Sequence, residues 1–279
     1  MSRWTLSEIA WDQLEPAKID PDMLAVIKTA ALVEYNSHDY GHYLNTIFKE
    51  DQEFQSKVNV WVKEERQHGQ ALEKWAMLAD PEFDFEKRFQ TFTDMFSLKT
   101  GCEDSIRGSQ NGELIARCIV ETGTSSYYTA LADACEEPVL KLICQKIAAD
   151  EFCHFKLFYK YLQQRAEKED LSRFRRICLA LGRIKETDDD ELAMAFYAAN
   201  ASPCETYSRK IHGGASLKRA SRYYKRKHTQ RAAYMTAKAS AVAPQSFVGA
   251  LRERLIYAYV RWNAVAKADL SLSRGTRSL

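Results

Sequence analysis

The chain has 279 residues, 46% hydrophobic and 28% charged, with a formal net charge of +2, the balance of an ordinary globular protein with a sizeable core. Its first residues, "MSRWTLSEIAWDQLEP", carry acids where a signal peptide needs an apolar run, and no stretch of about 18 apolar residues exists to span a membrane. The seven cysteines are odd in number and form no Cys-x-x-Cys pair, which reads as reduced core cysteines and a cytoplasmic location.

The predicted elements are helices throughout. Gly and Pro are scarce, and the β-branched runs that mark strands are missing. Residues 20–50 read as one helix, with Pro21 in the first turn between acids. Residues 52–79 read as a second, stopped by "ADPEFD". A connection of about 30 residues follows, partly helical, of the length that joins antiparallel helix pairs. Residues 111–135 form a third helix and 137–168 a fourth, with Pro138 at its start. A fifth spans 170–185, ahead of "ETDDDELAMAFYAAN", whose acids suit a helix N-terminus. Residues 216–238 read as a basic helix, "APQS" as a break, and 246–268 as an amphipathic helix.

Charge is distributed unevenly along this series. Residues 205–279 hold 16 of the 40 Lys and Arg but only 3 of the 38 Asp and Glu, which leaves 24 basic and 35 acidic residues in 1–204. A body of about −11 therefore carries a tail of +13, which suits an acidic partner or docking of the tail onto its own body.

The second helix contains "WVKEERQHG". Trp61, Glu65, His68, Leu72 and Trp75 follow the alternating steps of four and three that make a packed seam. A carboxylate and an imidazole on such a seam leave water, which is costly unless something pairs with them. The fourth helix repeats the pattern in Ile147, Glu151, His154, Phe158 and Tyr161. Glu34 lies on a stripe with Ile27, Ala30 and Ala31, and Glu121 on a stripe with Leu114, Cys118, Ser125 and Tyr128. The intervals 34 to 65 and 121 to 151 match two similar helix hairpins. One inward Glu from each of two helices, with Glu-x-x-His from each of two more, is the ligand set of a carboxylate-bridged di-iron or di-manganese bundle. Four carboxylates balance two divalent ions, and hard oxygen donors with one imidazole per ion suit iron or manganese. A structural zinc site more often uses cysteines.

These residues also carry a resemblance. "WVKEERQHGQALEKW" resembles the Glu-Glu-Asn-Arg-His-Gly helix of soluble acyl-carrier-protein desaturases, and "IAADEFCHF" resembles the same family's second metal-binding segment. "ETGTSS" matches as well. The resemblance covers roughly residues 20–165; Glu34 is carried over by position, and the basic tail has no counterpart. It implies a ferritin-like four-helix bundle, placed here over 1–168; the helical and charge patterns of the chain itself add further helices over 169–204 and a basic helical extension over 205–279. It further implies two irons that activate O2 for desaturation of an acyl chain on acyl carrier protein, electrons from a ferredoxin-like donor, and a homodimer. Glu34, Glu65, His68, Glu151 and His154 would be terminal or bridging ligands, with Glu121 as a carboxylate that can shift. Thr124 would stand near the oxygen-binding face, and Asp150 would orient a metal-bound histidine.

Other readings stay open on the residues alone. His38 and His42 follow Glu34 on much the same face and offer extra ligands or plain polar residues near a helix end. Tyr127 and Tyr128 offer a hydrogen-bond network near the metals or aromatic packing. A hydroxylase or N-oxygenase could use the same bundle, as could a metal-storage or peroxide-scavenging protein. "LKRASRYYKRKHTQR" interleaves bases and tyrosines but contains no recognised nucleic-acid motif, and an anionic membrane surface would suit it equally.

Overall fold

Asp20 starts the first long helix by accepting hydrogen bonds from the N–H groups of Asp22 and Met23, with Pro21 placed where no N–H is needed. The result is α1 (Pro21–Tyr35). The same device opens the other three long elements of the core. Asp51 caps α3 (Gln52–Ala79), Ser109 caps α5 (Gln110–Ala134), and Glu137 caps α6 (Pro138–Gln164). Glu137 is fully buried and fully used: it accepts from Val139, Leu140 and Glu15 N–H and from the Trp75 indole. The computed structural model describes residues 3–98, 104–165, 171–185 and 190–242, with 254, 257 and 258 beyond them. Among the described residues the fold is all-α. The expected "APQS" break lies outside them, as does all of the helix expected over 246–268 except residues 254, 257 and 258, which are helical; α6 ends at Gln164, and the expected helix beyond Arg165 also lies outside them.

Two expected helices are each two. The helix expected over 20–50 breaks at Asn36 into α1 and α2 (Ser37–Ile47). The break lies where the chain comes close to α3. A Cβ on Gly69 would stand 2.6 Å from the Tyr35 amide nitrogen, and one on Gly41 would stand 2.3 Å from a Val62 methyl. The basic helix expected over 216–238 is α9 (Arg209–Ser221) and α10 (Arg226–Ala239). Between them the chain buries Tyr223 and extends at Lys225, whose N–H is capped by His228 Nδ1 at 2.9 Å. The long connection contains α4 (Phe85–Met95), and α7 (Arg173–Lys185) and α8 (Asp190–Asn200) follow the bundle.

α1 packs on α3, α5 packs on α6, and α3 meets α6 across the middle. α3 and α6 run antiparallel: Phe54 meets Tyr161, Trp61 meets Phe158, and Trp75 reaches Glu137. Their apolar residues form two cores. One holds Leu72, Trp75, Leu131, Ile143 and Ile147; the other holds Phe54, Val58, Trp61, Leu114 and Phe158. Each such large side chain contributes about 1.5–3 kcal/mol on burial. That surplus allows polar groups to be buried between the two cores. α8 packs on α1 and α4, and α10 on α5. The described part of the basic tail is tied to the body: Arg219 and Arg222 pair with Asp22, and Lys227 and His228 with Asp133. No helix among the described residues is long and apolar enough to cross a membrane.

Candidate metal centre

Between the two apolar cores, four helices bring six ionisable side chains together. Glu65 and His68 are one turn apart on α3, and Glu151 and His154 are one turn apart on α6, so each pair points along one stripe. α1 supplies Glu34 and α5 supplies Glu121. All six are buried. Their ligand-capable atoms form two overlapping groups: Glu34, Glu65, His68 and Glu151, then Glu65, Glu121, Glu151 and His154. Within each group the atoms lie within 4.8 Å of one another, and Glu65 and Glu151 belong to both.

Both imidazoles point the same nitrogen inward. His68 Nδ1 is 3.3 Å from Glu151 Oε1 and 3.6 Å from Glu65 Oε2. His154 Nδ1 is 3.0 Å from Glu65 Oε1 and 3.6 Å from Glu121 Oε2. Neither nitrogen makes a directed hydrogen bond, and neither do Glu121 Oε1 or Glu151 Oε1. Buried polar atoms are almost always satisfied, so four unsatisfied ones converging on one space call for a ligand that hydrogen bonds do not supply. Carboxylate oxygens and imidazole lone pairs are the donors that hard divalent cations take. The residues present fit two metal ions.

The outer nitrogens strengthen that fit. His68 Nε2 is 3.1 Å from Asp150 Oδ2, and His154 Nε2 is 3.0 Å from Glu64 Oε2. A carboxylate behind the ring fixes the Nε2–H tautomer and leaves the Nδ1 lone pair facing the centre. Asp150 is itself held by the Trp4 indole at 2.7 Å and by Arg3 at 3.2 Å. Burial works to raise its pKa, but His68, Trp4 and Arg3 outweigh burial and hold it below the ordinary carboxylate range. On the far side, the Tyr128 hydroxyl donates to Glu34 Oε1 at 2.6 Å, and Thr124 donates to Glu151 Oε2 at 2.7 Å.

The charges divide the six residues in the metal-free protein. Burial, reinforced by Glu65 and Glu151, pushes Glu34 well above the ordinary carboxylate range; burial does the same to Glu121. Burial also opposes ionisation of Glu65 and Glu151, yet His154 and His68 outweigh it and keep both low. Both histidines are raised well above their usual value, because the surrounding carboxylates outweigh burial. Without metals the cluster thus balances its own charge with protons, and cations entering it would displace them.

The structure brings together all six residues singled out as ligands, with Thr124 and Asp150 directly behind Glu151 and His68. His38 and His42 are exposed on α2, which the break at Asn36 aims away from the cluster. Arg66 bonds the Tyr35 hydroxyl and Lys156 sits over Phe152, so neither neutralises the cluster. Tyr128 reaches Glu34 as well as packing its ring against Tyr127. Glu64 and Trp4 were not singled out by the sequence reading. Glu64 had a visible signal, because the Glu of each Glu-x-x-His pair is preceded by an acid, Glu64–Glu65 and Asp150–Glu151. Trp4 had none, being 146 residues from Asp150.

Comparison with known proteins agrees with this site. No curated protein matches the chain. Residues 11–176, more than half of the chain, match the sequence family described as fatty acid desaturase, and that span contains all six cluster residues. The chain belongs to the fatty acid desaturase family.

Proposed function

We propose that the chain is a di-iron, O2-dependent oxidoreductase of the ferritin-like superfamily that desaturates a fatty acyl chain carried on acyl carrier protein. The observation that carries this reading is the pair of overlapping buried ligand sets, each with one histidine whose Nδ1 faces inward without a hydrogen bond. Glu65 and Glu151 would bridge the two ions; Glu34 and His68 would complete one site, Glu121 and His154 the other. Two reduced irons there would supply O2 activation and hydrogen abstraction from an unactivated C–H bond. Iron follows from the resemblance to soluble acyl-carrier-protein desaturases, and manganese fits the same donors.

The protein's own residues have distinct tasks. Asp150 and Glu64 fix the two rings and hold the Nε2 protons. Tyr128, whose pKa burial and Glu34 push well above its usual value, stays a donor and orients Glu34. Thr124 restrains Glu151 from the α5 side. The apolar residues flanking the site keep water from the reacting carbon. A ferredoxin-like protein would deliver electrons. Exposed bases on α9 and α10, among them Lys210, Arg226, Arg231 and Lys238, suit an acidic carrier protein.

The test is to reduce iron-loaded protein without oxygen, add acyl carrier protein thioesters of several chain lengths, and admit O2 for one turnover. A new double bond in the acyl product is the expected result. A hydroxylated product, or none from any thioester, would replace the desaturase with another di-iron oxygenase. Iron loading far above two ions per chain would favour storage.

A further inference from the structure

One buried cation has no hydrogen-bond or ion-pair partner among the described residues. Arg117 of α5 is 7% exposed, and its guanidinium lies over the rings of Tyr40 and Trp61, 5.2 and 5.7 Å from their centroids. It makes no hydrogen bond or ion pair with any described residue. A buried guanidinium without an anion is costly, and aromatic faces offset only part of that cost. The acids nearby are engaged elsewhere. Glu113, one turn earlier on α5, accepts from the Tyr43 hydroxyl and from Ser105, both at 2.9 Å. Glu191 accepts from the Tyr40 hydroxyl at 2.6 Å.

Arg117 lines a cavity of about 330 Å³, whose walls carry three arginines, Arg107, Arg117 and Arg183, against the two acids Glu113 and Glu191, with apolar side chains such as Leu44 and Phe96 between them. That volume is at the small end of ligand sites, and its mixture of apolar wall and convergent polar groups is typical of them. The cavity approaches the candidate metal centre along α5, where Arg117 precedes Glu121 by one turn, a rise of about 6 Å. The Trp61 ring that Arg117 lies over belongs to α3, one turn before Glu65.

We propose that this cavity binds the substrate and that Arg117 holds an anionic group, a carboxylate or a phosphate, borne by the acyl chain itself. The inference rests on the reading of the protein as an acyl-chain oxidoreductase and narrows it. The substrate is an amphiphile whose charged end lies a few carbon–carbon bonds from the carbon that reacts. Guanidinium suits this task because its planar fork pairs with two oxygens of one anion. The Trp61 and Tyr40 rings hold the fork in the cavity while it is empty of ligand.

The test uses the full-length, iron-loaded protein and three probes: octanoate, octyl phosphate and the uncharged 1-octanol. Binding is measured by calorimetry and by the shift in Tm, with iron content measured in parallel. Octanoate or octyl phosphate is expected to bind saturably and raise Tm, the stronger of the two identifying the anion, while octanol does neither. Arg117→Gln is expected to weaken binding roughly 10- to 100-fold with iron content unchanged. Arg117→Lys, which keeps the charge without the fork, is expected to fall between them. Failure of both anions to bind, or equal binding by wild type and Arg117→Gln, overturns the proposal. Bound anion with no bound iron would keep the Arg117 site and remove the di-iron reading instead.

Discussion

Each histidine of the centre stands between carboxylates, and the outer one decides what the inner nitrogen can do. Asp150 and Glu64 take the Nε2–H of His68 and His154, so Nδ1 is the nitrogen that faces the shared oxygens of Glu65 and Glu151 and that a cation would claim on displacing its proton. Loss of such an outer partner typically lowers metal affinity about 10- to 100-fold. Glu64→Ala is therefore expected to lose iron to a chelator at roughly 10- to 100-fold lower chelator concentration, with helicity unchanged by circular dichroism. Retention equal to wild type would show that Glu64 is only a surface acid. At this scale the sequence was informative where chemistry repeats and silent where it does not. Two Glu-x-x-His pairs on aromatic seams pointed to the cluster, and the seam positions of Glu34 and Glu121 completed it. Tyr128 was ambiguous because an aromatic on a helix stripe packs whether or not its hydroxyl finds a carboxylate. The Trp4–Asp150 bond joins distant segments, and no local pattern encodes it.

The helices that carry the site were legible because each combines a strong period with a chemical start signal. Asp20, Asp51, Ser109 and Glu137 all cap, and Pro21 and Pro138 sit in first turns. The break between α1 and α2 was not legible, since "EYNSHDYG" holds no proline there and its glycine comes five residues later. It goes with the tertiary approach of Tyr35 to Gly69. In an open helix, Gly69→Ala would gain about 1 kcal/mol of helix propensity. Here the added Cβ would stand 2.6 and 2.7 Å from the Tyr35 N and Cα, backbone atoms that cannot rotate aside. Overpacking of this kind costs about 1–3 kcal/mol, so the clash equals or exceeds the gain. Gly69→Ala is expected to lower the urea midpoint and to loosen Glu34, one residue from Tyr35, reducing iron retention as well. An unchanged or raised midpoint would mean that α1 can move off α3 freely.

Across the whole molecule, opposite charges tie the tail to the body, as the −11 and +13 halves allow. His228 links α10 to α5 twice: its ring bonds Asp133 at 2.8 Å, and its carbonyl accepts from Ser126. Lys227, then His228, hold the Asp133 carboxyl below its ordinary value of 3.8. A depressed carboxylate stabilises the fold above its unfolded pKa and ceases to do so as pH falls through the folded value. Asp133 is partly exposed, so the contribution is at most about 1 kcal/mol. Asp133→Asn is thus expected to lower the urea midpoint at neutral pH, and the gap to wild type is expected to close as pH falls below the ordinary carboxylate range. A gap independent of pH would assign the effect to packing. The tail's basicity was plain in the sequence, but which of its residues dock and which stay exposed depends on folded positions such as that of Asp133. If the bundle exists to hold two ions, iron per chain in protein produced with iron measures it most directly, for wild type beside Glu65→Ala. Two irons in wild type and near-background iron in Glu65→Ala, with helicity retained, is the predicted result, because Glu65 belongs to both ligand groups. No iron in wild type, or two irons in the variant, would contradict it.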